Sequence, residues 1–189
     1  MTVWFTSDTH FTHKFVAGTR GFSDPAEHDE HVIQNINALV KADDILWILG
    51  DLGVGNEAAI LAQAARLNGR RQFIAGNHDP VHPAHRNSRR HQRKWLEVFE
   101  SVQAFAKVSV CGTDFLLSHF PYDGDHGDRE DRYTQYRLRD EGMPLLHGHL
   151  HTRKALTDLV KKVVHVGWDS WDAPVKDTQI QEILEDADS

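Results

Sequence analysis

Five short runs of residues suited to holding metal ions occur in a fixed order along the chain. They are Asp8-Thr9-His10, Gly50-Asp51, Gly76-Asn77-His78-Asp79, Ser118-His119 and Gly148-His149-Leu150-His151. Each closes or follows a stretch that reads as a β-strand, so side chains far apart in sequence can converge at one edge of a sheet, where sites on α/β scaffolds are built. Order and placement carry this inference. Gly-Asp alone is a common turn, and a His-x-His pair can arise by accident in a chain with 14 histidines.

The intervening sequence supports an α/β layout. Val3 to Thr6 is a short apolar strand, and the uninterrupted Ile45 to Leu49 predicts a strand buried on both faces. Between them, Asp24-Pro25-Ala26-Glu27 supplies an N-cap, a proline at the first helical position and an acid three residues after the cap. Val32, Ile33, Ile36, Leu39 and Val40 then form one apolar stripe. Glu57 to Leu67 is alanine-rich and helical, with Gly69 placed to end it, and Gln72 to Ala75 is the third strand. Trp95 to Ser101 predicts a short helix. Phe105 to Val110 and Asp114 to Leu117 have hairpin spacing, and Cys111 is expected to lie unreactive in a strand. Pro144 to His147 and Val163 to Val166 read as further strands, and Thr178 to Leu184 as either a helix or a strand. The sequence contains no repeat, low-complexity tract or linker.

Composition sets outer bounds. A chain of 189 residues suits one domain, spanning 1–189, that buries roughly 70% of its unfolded surface and needs no disulfide. Its single cysteine excludes an intramolecular disulfide and a thiolate-rich metal site. Met1 to Phe5 runs directly into a strand without a signal-peptide pattern, and no segment approaches the roughly 20 apolar residues of a membrane span. A cytoplasmic location is expected. The formal charge of −7 argues against a generally sticky nucleic-acid binder, although local basic patches can still act.

The five runs resemble the signature of the calcineurin-like metallophosphoesterase superfamily, D-x-H, G-D, G-N-H-[DE], H and G-H-x-H, over Asp8 to His151. The resemblance implies a four-layer α/β/β/α sandwich of two mixed β-sheets with a dinuclear metal site at the C-terminal edge of the strands. It implies that Asp8, His10 and His151 bind one metal, that Asn77, His119 and His149 bind the other, and that Asp51 bridges them. His78 is the implied non-ligand catalytic histidine. The implied activity is that of a metal-dependent phosphoric ester hydrolase, foremost a phosphodiesterase. Alternatives are a phosphomonoesterase, a nucleotide pyrophosphohydrolase, or a scaffold that keeps the metals without catalysis. Members that act on phosphoproteins carry an arginine two residues beyond the acid of G-N-H-[DE]; here Pro80 and Val81 follow Asp79, which disfavours that activity. The chain resembles the small, stand-alone bacterial or phage members. Val166-Gly167-Trp168-Asp169, with Trp171 and Pro174, resembles the end of that compact group, in a structural role.

The chemistry accounts for the residue types. Two cations about 3.5 to 4 Å apart repel one another, and a shared carboxylate such as Asp51 relieves the repulsion. Water held between them has its pKa lowered toward roughly 7, giving the hydroxide expected to attack the ester. Two divalent ions against Asp8, Asp51 and that hydroxide leave a charge of about +1, suited to a phosphate ester. The mixed nitrogen and oxygen set favours Mn, Fe or Zn over Mg or Ca. In extended backbone, residues two apart share a side, so His149 and His151 can address different ions while Leu150 points into the core; Asp8 and His10 follow the same rule. His78 can donate a proton to the leaving oxygen. Many family members orient that histidine with an acid three residues after the bridging aspartate, where this chain has Val54. Asp79 can compensate as support or can cap a turn.

Two segments bear on the substrate. From Pro80 to Leu96 there is no acid, while Arg86, Arg89, Arg90, Arg93 and Lys94 accompany three histidines. These cations can reach a second phosphate or a nucleic-acid backbone, or form a solvated helix face. All three tyrosines, Tyr122, Tyr133 and Tyr136, follow His119 and can stack on a base or pack a long loop. Cyclic nucleotides and nucleic-acid ends are the first substrates to consider.

Overall fold

In the computed structural model, which describes residues 1–127 and 129–187, two five-stranded mixed sheets face one another. In the first, β1 (Val3–Thr6), β2 (Ile45–Leu49), β3 (Arg70–Ile74) and β4 (Ser101–Gln103) run parallel, and β10 (Val175–Lys176) lies antiparallel beside β1. Register pairs Thr6 with Ile48 and Leu49 with Ile74, so β1, β2 and β3 end level. The runs beginning at Asp8, Gly50 and Gly76 therefore leave the sheet along one edge.

Alternation along these strands divides the core. Trp4, Leu46, Ile48 and Phe73 face α2 (Pro25–Leu39), α3 (Glu57–Ala64) and α4 (Ser88–Trp95), packing with Val32, Ile36, Ile60, Leu61 and Trp95. Phe5, Leu49 and Ile74 face the second sheet. That sheet is β5 (Phe105–Val110), β6 (Thr113–Ser118), β7 (Leu145–His147), β9 (Val163–His165) and β8 (Leu156–Asp158), in that spatial order. Its Phe115, Leu117, Leu146 and Val164 complete the layer between the sheets, with Ile180 and Leu184 of α6 (Asp177–Ala187). Here β6, β7 and β9 run parallel, so β6 and β7 deliver His119 and His149 towards the site. The outer side of the second sheet carries Tyr122, Leu145 and Val163, with Leu116 and Leu138 against them. Among the described residues, the segments 119–127 and 129–144 cover that side with a 3-10 turn at Thr134–Tyr136 and no regular α-helix.

The helix caps follow the sequence. The Asp24 carboxylate accepts from the Ala26 N–H, and the Asn56 side chain from the Ala58 and Ala59 N–H groups. Several expectations need correction. The helix from Glu57 stops at Ala64, with Ala65 to Leu67 finishing in a turn, and β3 starts at Arg70, whose N–H donates to the Asp44 carbonyl. The predicted helix at Trp95 to Ser101 is a tight turn following α4, which lies one stretch earlier and has Trp95 as its one buried residue. With Trp95 as its one apolar residue, α4 offers no apolar stripe to read. Cys111 is exposed in the hairpin turn, where Cys111 and Gly112 have φ of +48° and +88°, the backbone a two-residue hairpin needs to match strand twist. Thr178 to Leu184 is helical. In addition, α1 (Lys14–Thr19), α5 (Trp168–Trp171), β4, β8 and β10 are too short to give a periodic signal.

Candidate metal centre

Asp8, Asp51, Asn77, His119, His149 and His151 all follow strand ends, and His10 comes from the loop after β1. The backbone there is not extended as expected. Asp8, His10, Asp51, His149 and His151 have φ of +57°, +50°, +52°, +72° and +48°. Left-handed residues turn the chain out of β1, β2 and β7, keeping their carboxylates and imidazoles close to the sheet edge. Such conformations cost about 1–3 kcal/mol each and cluster at functional sites. Neighbouring glycines let the loops approach. A Cβ on Gly50, whose φ is +88°, would lie 2.6 Å from the Gly76 nitrogen and 2.6 Å from His119 Nδ1.

One group joins Asp8, His10 and His151. The His10 and His151 Nε2 atoms lie 3.1 Å apart, and Asp8 Oδ1 is 4.0 Å from the first and 3.9 Å from the second. Asp8 Oδ1 is buried without a hydrogen-bond partner. Lone pairs converging on one point with an unpartnered carboxylate oxygen fit a cation. Asp51 Oδ2 is 4.0 Å from His10 Nε2, while Asp51 Oδ1 is 3.5 Å from His119 Nε2. Its two oxygens thus face the two groups. His119 Nε2 is also 3.2 Å from Asn77 Oδ1, and its Nδ1–H donates to the Leu49 carbonyl at 2.8 Å, leaving Nε2 as the nitrogen available to a ligand.

The buried charged groups shift one another strongly. Burial raises the Asp8 carboxyl above its ordinary range, although His151 and His119 oppose the shift. Burial also acts to raise Asp51, but the charge and hydrogen bond of His119, with His10 and His78, hold it well below that range. Burial works to lower His119, yet Asp51 and Asp8 push it up to about 9. His10 is driven well below its usual value by burial.

His149 stands apart. It joins Asp125 and His126 in a second cluster, with Nε2 3.3 Å from Asp125 Oδ1, and both ring nitrogens are buried without hydrogen bonds. Its ring centroid is 5.1 Å from that of His119. The Leu150 side chain is half-buried at the surface rather than in the core.

Sequence reasoning missed two carboxylates. Asp169, on α5, accepts from His151 Nδ1 at 2.7 Å and is gripped by Arg20 Nε at 2.9 Å and Nη2 at 2.8 Å. Arg20 also donates to the Asp8 carbonyl at 2.8 Å. The Val166 to Asp169 run was the available signal, read as structural. Asp125 lies among the many charged residues between Asp123 and Glu141, a stretch that offers no motif for it.

His78 is half-exposed and donates its backbone N–H to Asp51 Oδ1 at 2.9 Å, with its ring Nε2 3.9 Å from Asp51 Oδ2. Val54 brings no acid, and Asp79 does not hydrogen-bond the His78 ring. The fully buried Asp79 carboxylate instead accepts the N–H groups of Gly76 at 2.7 Å, Asp51 at 2.8 Å and Leu52 at 3.0 Å. It ties the loops of Asp51 and Asn77 together.

A cavity of about 830 Å³ opens over His10, His78 and His151, walled by His13, Phe15, Phe22, Arg129 and Arg153. Arg86, Arg89 and Arg90 do not line it; they are exposed on or beside α4, where Lys94 and His91 instead bind Glu57. Tyr122 is buried, its hydroxyl donating to the Met143 carbonyl. Tyr133 stacks on Phe120, and Tyr136 packs against His82.

The domain model of the calcineurin-like phosphoesterase superfamily matches residues 1–173. The Gene 66 protein of Mycobacterium phage D29 is 41% identical over 193 residues, covering 97% of this chain and 96% of the relative. That of Mycobacterium phage L5 is 39% identical, covering 96% and 93%. A solved structure of a protein of unknown function from Aquifex aeolicus superposes with a TM-score of 0.72 at 21% identity, covering 96% of this chain and 98% of that one.

Proposed function

The chain belongs to the calcineurin-like phosphoesterase superfamily, and on that premise we propose that it hydrolyses phosphodiester bonds with two divalent cations held at the strand ends. The observation that carries this reading is the pair of facing groups divided by Asp51, one of them with opposed nitrogens 3.1 Å apart beside an unpartnered buried carboxylate oxygen. Asp8, His10 and His151 would hold one cation, Asn77, His119 and His149 the other, and Asp51 both. The donor set favours Mn, Fe or Zn. When bound, the cations supply Lewis-acid charge for the phosphoryl oxygens and make a water molecule acidic enough to serve as nucleophile near neutral pH.

The remaining work belongs to the protein. Asp79 fixes the loops of Asp51 and Asn77 through three N–H bonds, so the ligands need little reorganisation. Asp169, anchored by Arg20, holds the Nδ1–H of His151 and leaves its Nε2 for a ligand. His78, in the cavity wall, donates a proton or hydrogen bond to the leaving oxygen as the P–O bond breaks. Arg129 and Arg153 offer guanidinium forks for a non-bridging phosphate oxygen, and Phe15 and Phe22 an aromatic wall for a base or aryl group. This favours a diester with a nucleoside on one side, such as a cyclic nucleotide or a nucleic-acid end.

The test is hydrolysis of bis(p-nitrophenyl) phosphate beside p-nitrophenyl phosphate by metal-stripped protein reconstituted with Mn, Fe, Zn or Mg, with Asp51→Asn as control. Metal-dependent diester turnover that Asp51→Asn abolishes, with the monoester nearly untouched, is the expected result. A preference for the monoester would replace the reading with a phosphomonoesterase. Absence of turnover despite two bound ions would leave a binding scaffold.

A further inference from the structure

The two histidines of Gly148-His149-Leu150-His151 face carboxylates through opposite nitrogens. His151 meets Asp169 through Nδ1, so its Nε2 is the bare atom turned to His10 and Asp8. His149 meets Asp125 through Nε2, at 3.3 Å and without the alignment of a full hydrogen bond, and its Nδ1 is buried and unpartnered. Each carboxylate is anchored by arginine. Arg132 grips Asp125 through Nη2 at 2.8 Å and Nε at 3.1 Å, and Arg137 Nη2 lies 3.6 Å away. The backbone N–H groups of His126 and Arg132 add bonds at 2.7 and 3.1 Å. Arg137 is in turn fixed by the Pro121, Gly124 and Arg132 carbonyls.

We propose that Asp125 is the positioning residue for His149: its anchored carboxylate selects the tautomer protonated at Nε2 and so presents Nδ1 as the ligand atom for the second cation. This rests on the two-cation reading above. The His149 Nε2 faces an acceptor oxygen of Asp125 at 3.3 Å, where a bare nitrogen lone pair would be repelled whereas an N–H is attracted. Once Nε2 carries the proton, Nδ1 is the only lone pair His149 can offer. The same anchoring argues against a separate ion shared by Asp125, His126 and His149, because two guanidiniums already take the Asp125 charge. The long segment after His119 thereby gains a role, since Asp125, Arg132 and Arg137 form a brace that reaches the second sheet's metal loop from outside.

The experiment pairs Mn²⁺ binding to metal-stripped protein with ¹⁵N NMR of the histidine tautomers, in wild type, Asp125→Asn, Asp125→Leu, His149→Ala and the two double variants. Wild type should bind two ions and show His149 protonated at Nε2. Asp125→Leu should weaken one of the two sites by about 10–100-fold. Asp125→Asn, which keeps size and an acceptor, should weaken the same site less and mix the tautomers. In the His149→Ala background neither substitution should weaken binding further. Unchanged affinities and tautomer in both Asp125 variants would overturn the proposal, as would equal losses with and without His149. Failure of the wild type to bind a second ion would instead overturn the two-cation reading, a result distinguishable from these. If Asp125→Leu does not fold, the Asp125→Asn tautomer and affinity decide.

Discussion

His78 and Asp79 are neighbours with separable duties. His78 faces the cavity and contributes no ligand atom to either group, so His78→Gln should lower turnover about 10²–10⁴-fold while metal content stays at the wild-type level, as measured by steady-state kinetics beside elemental analysis. Loss of metal together with activity would make His78 structural instead. Asp79 has no exposure and accepts three backbone N–H groups. Asp79→Ala leaves those donors buried and unpaired, each at about 1–3 kcal/mol, and denaturant unfolding should register a loss of several kcal/mol. The residues that the structure brings together at the strand ends were legible because their strings are local. Asp125 and Asp169 were not, because their meaning comes from His149 and His151, which other segments bring against them. Arg86, Arg89 and Arg90 follow the His78 loop in sequence but lie outside its cavity, on the solvated face that was the alternative reading.

At the scale of elements, the ends of β1, β2 and β7 exchange extended backbone for left-handed residues, and small side chains make room for it. Gly148 is the tightest case. A Cβ there would collide with the Ser7 side chain and lie 2.5 Å from Asp8 Oδ2. Gly148→Ala should destabilise the protein by about 1–3 kcal/mol through overpacking and weaken metal binding. Gly18→Ala in α1, where an added Cβ meets nothing within 4 Å, should do neither. Thermal melts of the two variants provide the comparison. Asp44 joins the edge of this layer by accepting from the Thr2 N–H at 2.8 Å, the Lys41 N–H at 3.1 Å and Trp4 Nε1 at 3.2 Å. The Thr2 bond leads in holding its carboxyl below the ordinary value, against a desolvation cost. The folded value is the lower one, so this stabilisation is fully present above about pH 3.9 and is lost as pH falls through the folded value. The stability gap between wild type and Asp44→Asn should therefore be constant near neutrality and close under acid, as followed by urea unfolding. Strands β1 to β3, β5 to β7 and β9 were readable from apolar runs and turn residues. The polar α4 and the two-residue β10 were not, since both are defined by what they pack against.

For the whole molecule, the site is a product of two sheets meeting at one edge. The first supplies Asp8, Asp51 and Asn77, the second His119, His149 and His151, so cations at this junction would bind only the assembled pair. Binding to the folded state alone raises stability by mass action, about 2.7 kcal/mol at a free metal concentration 100 times Kd. For a chain of this size, where 1 kcal/mol moves Tm by about 2–4 °C, Mn²⁺ should raise Tm by roughly 5–10 °C and a chelator should reverse the gain. Among the described residues no helix is long and apolar enough to cross a membrane. The sandwich was legible only through the family that the five runs resemble. The cover on the outer side of the second sheet was less so, because residues 119–127 and 129–144 build it from loop contacts and arginine anchors that leave no periodic trace.

The most direct test of the central claim is the anomalous scattering of crystals grown from Mn²⁺-loaded protein. Two peaks per chain are predicted, one among Asp8, His10, Asp51 and His151 and the other among Asp51, Asn77, His119 and His149. A single peak, or a second ion held by Asp125 and His126 away from Asp51, would contradict the account.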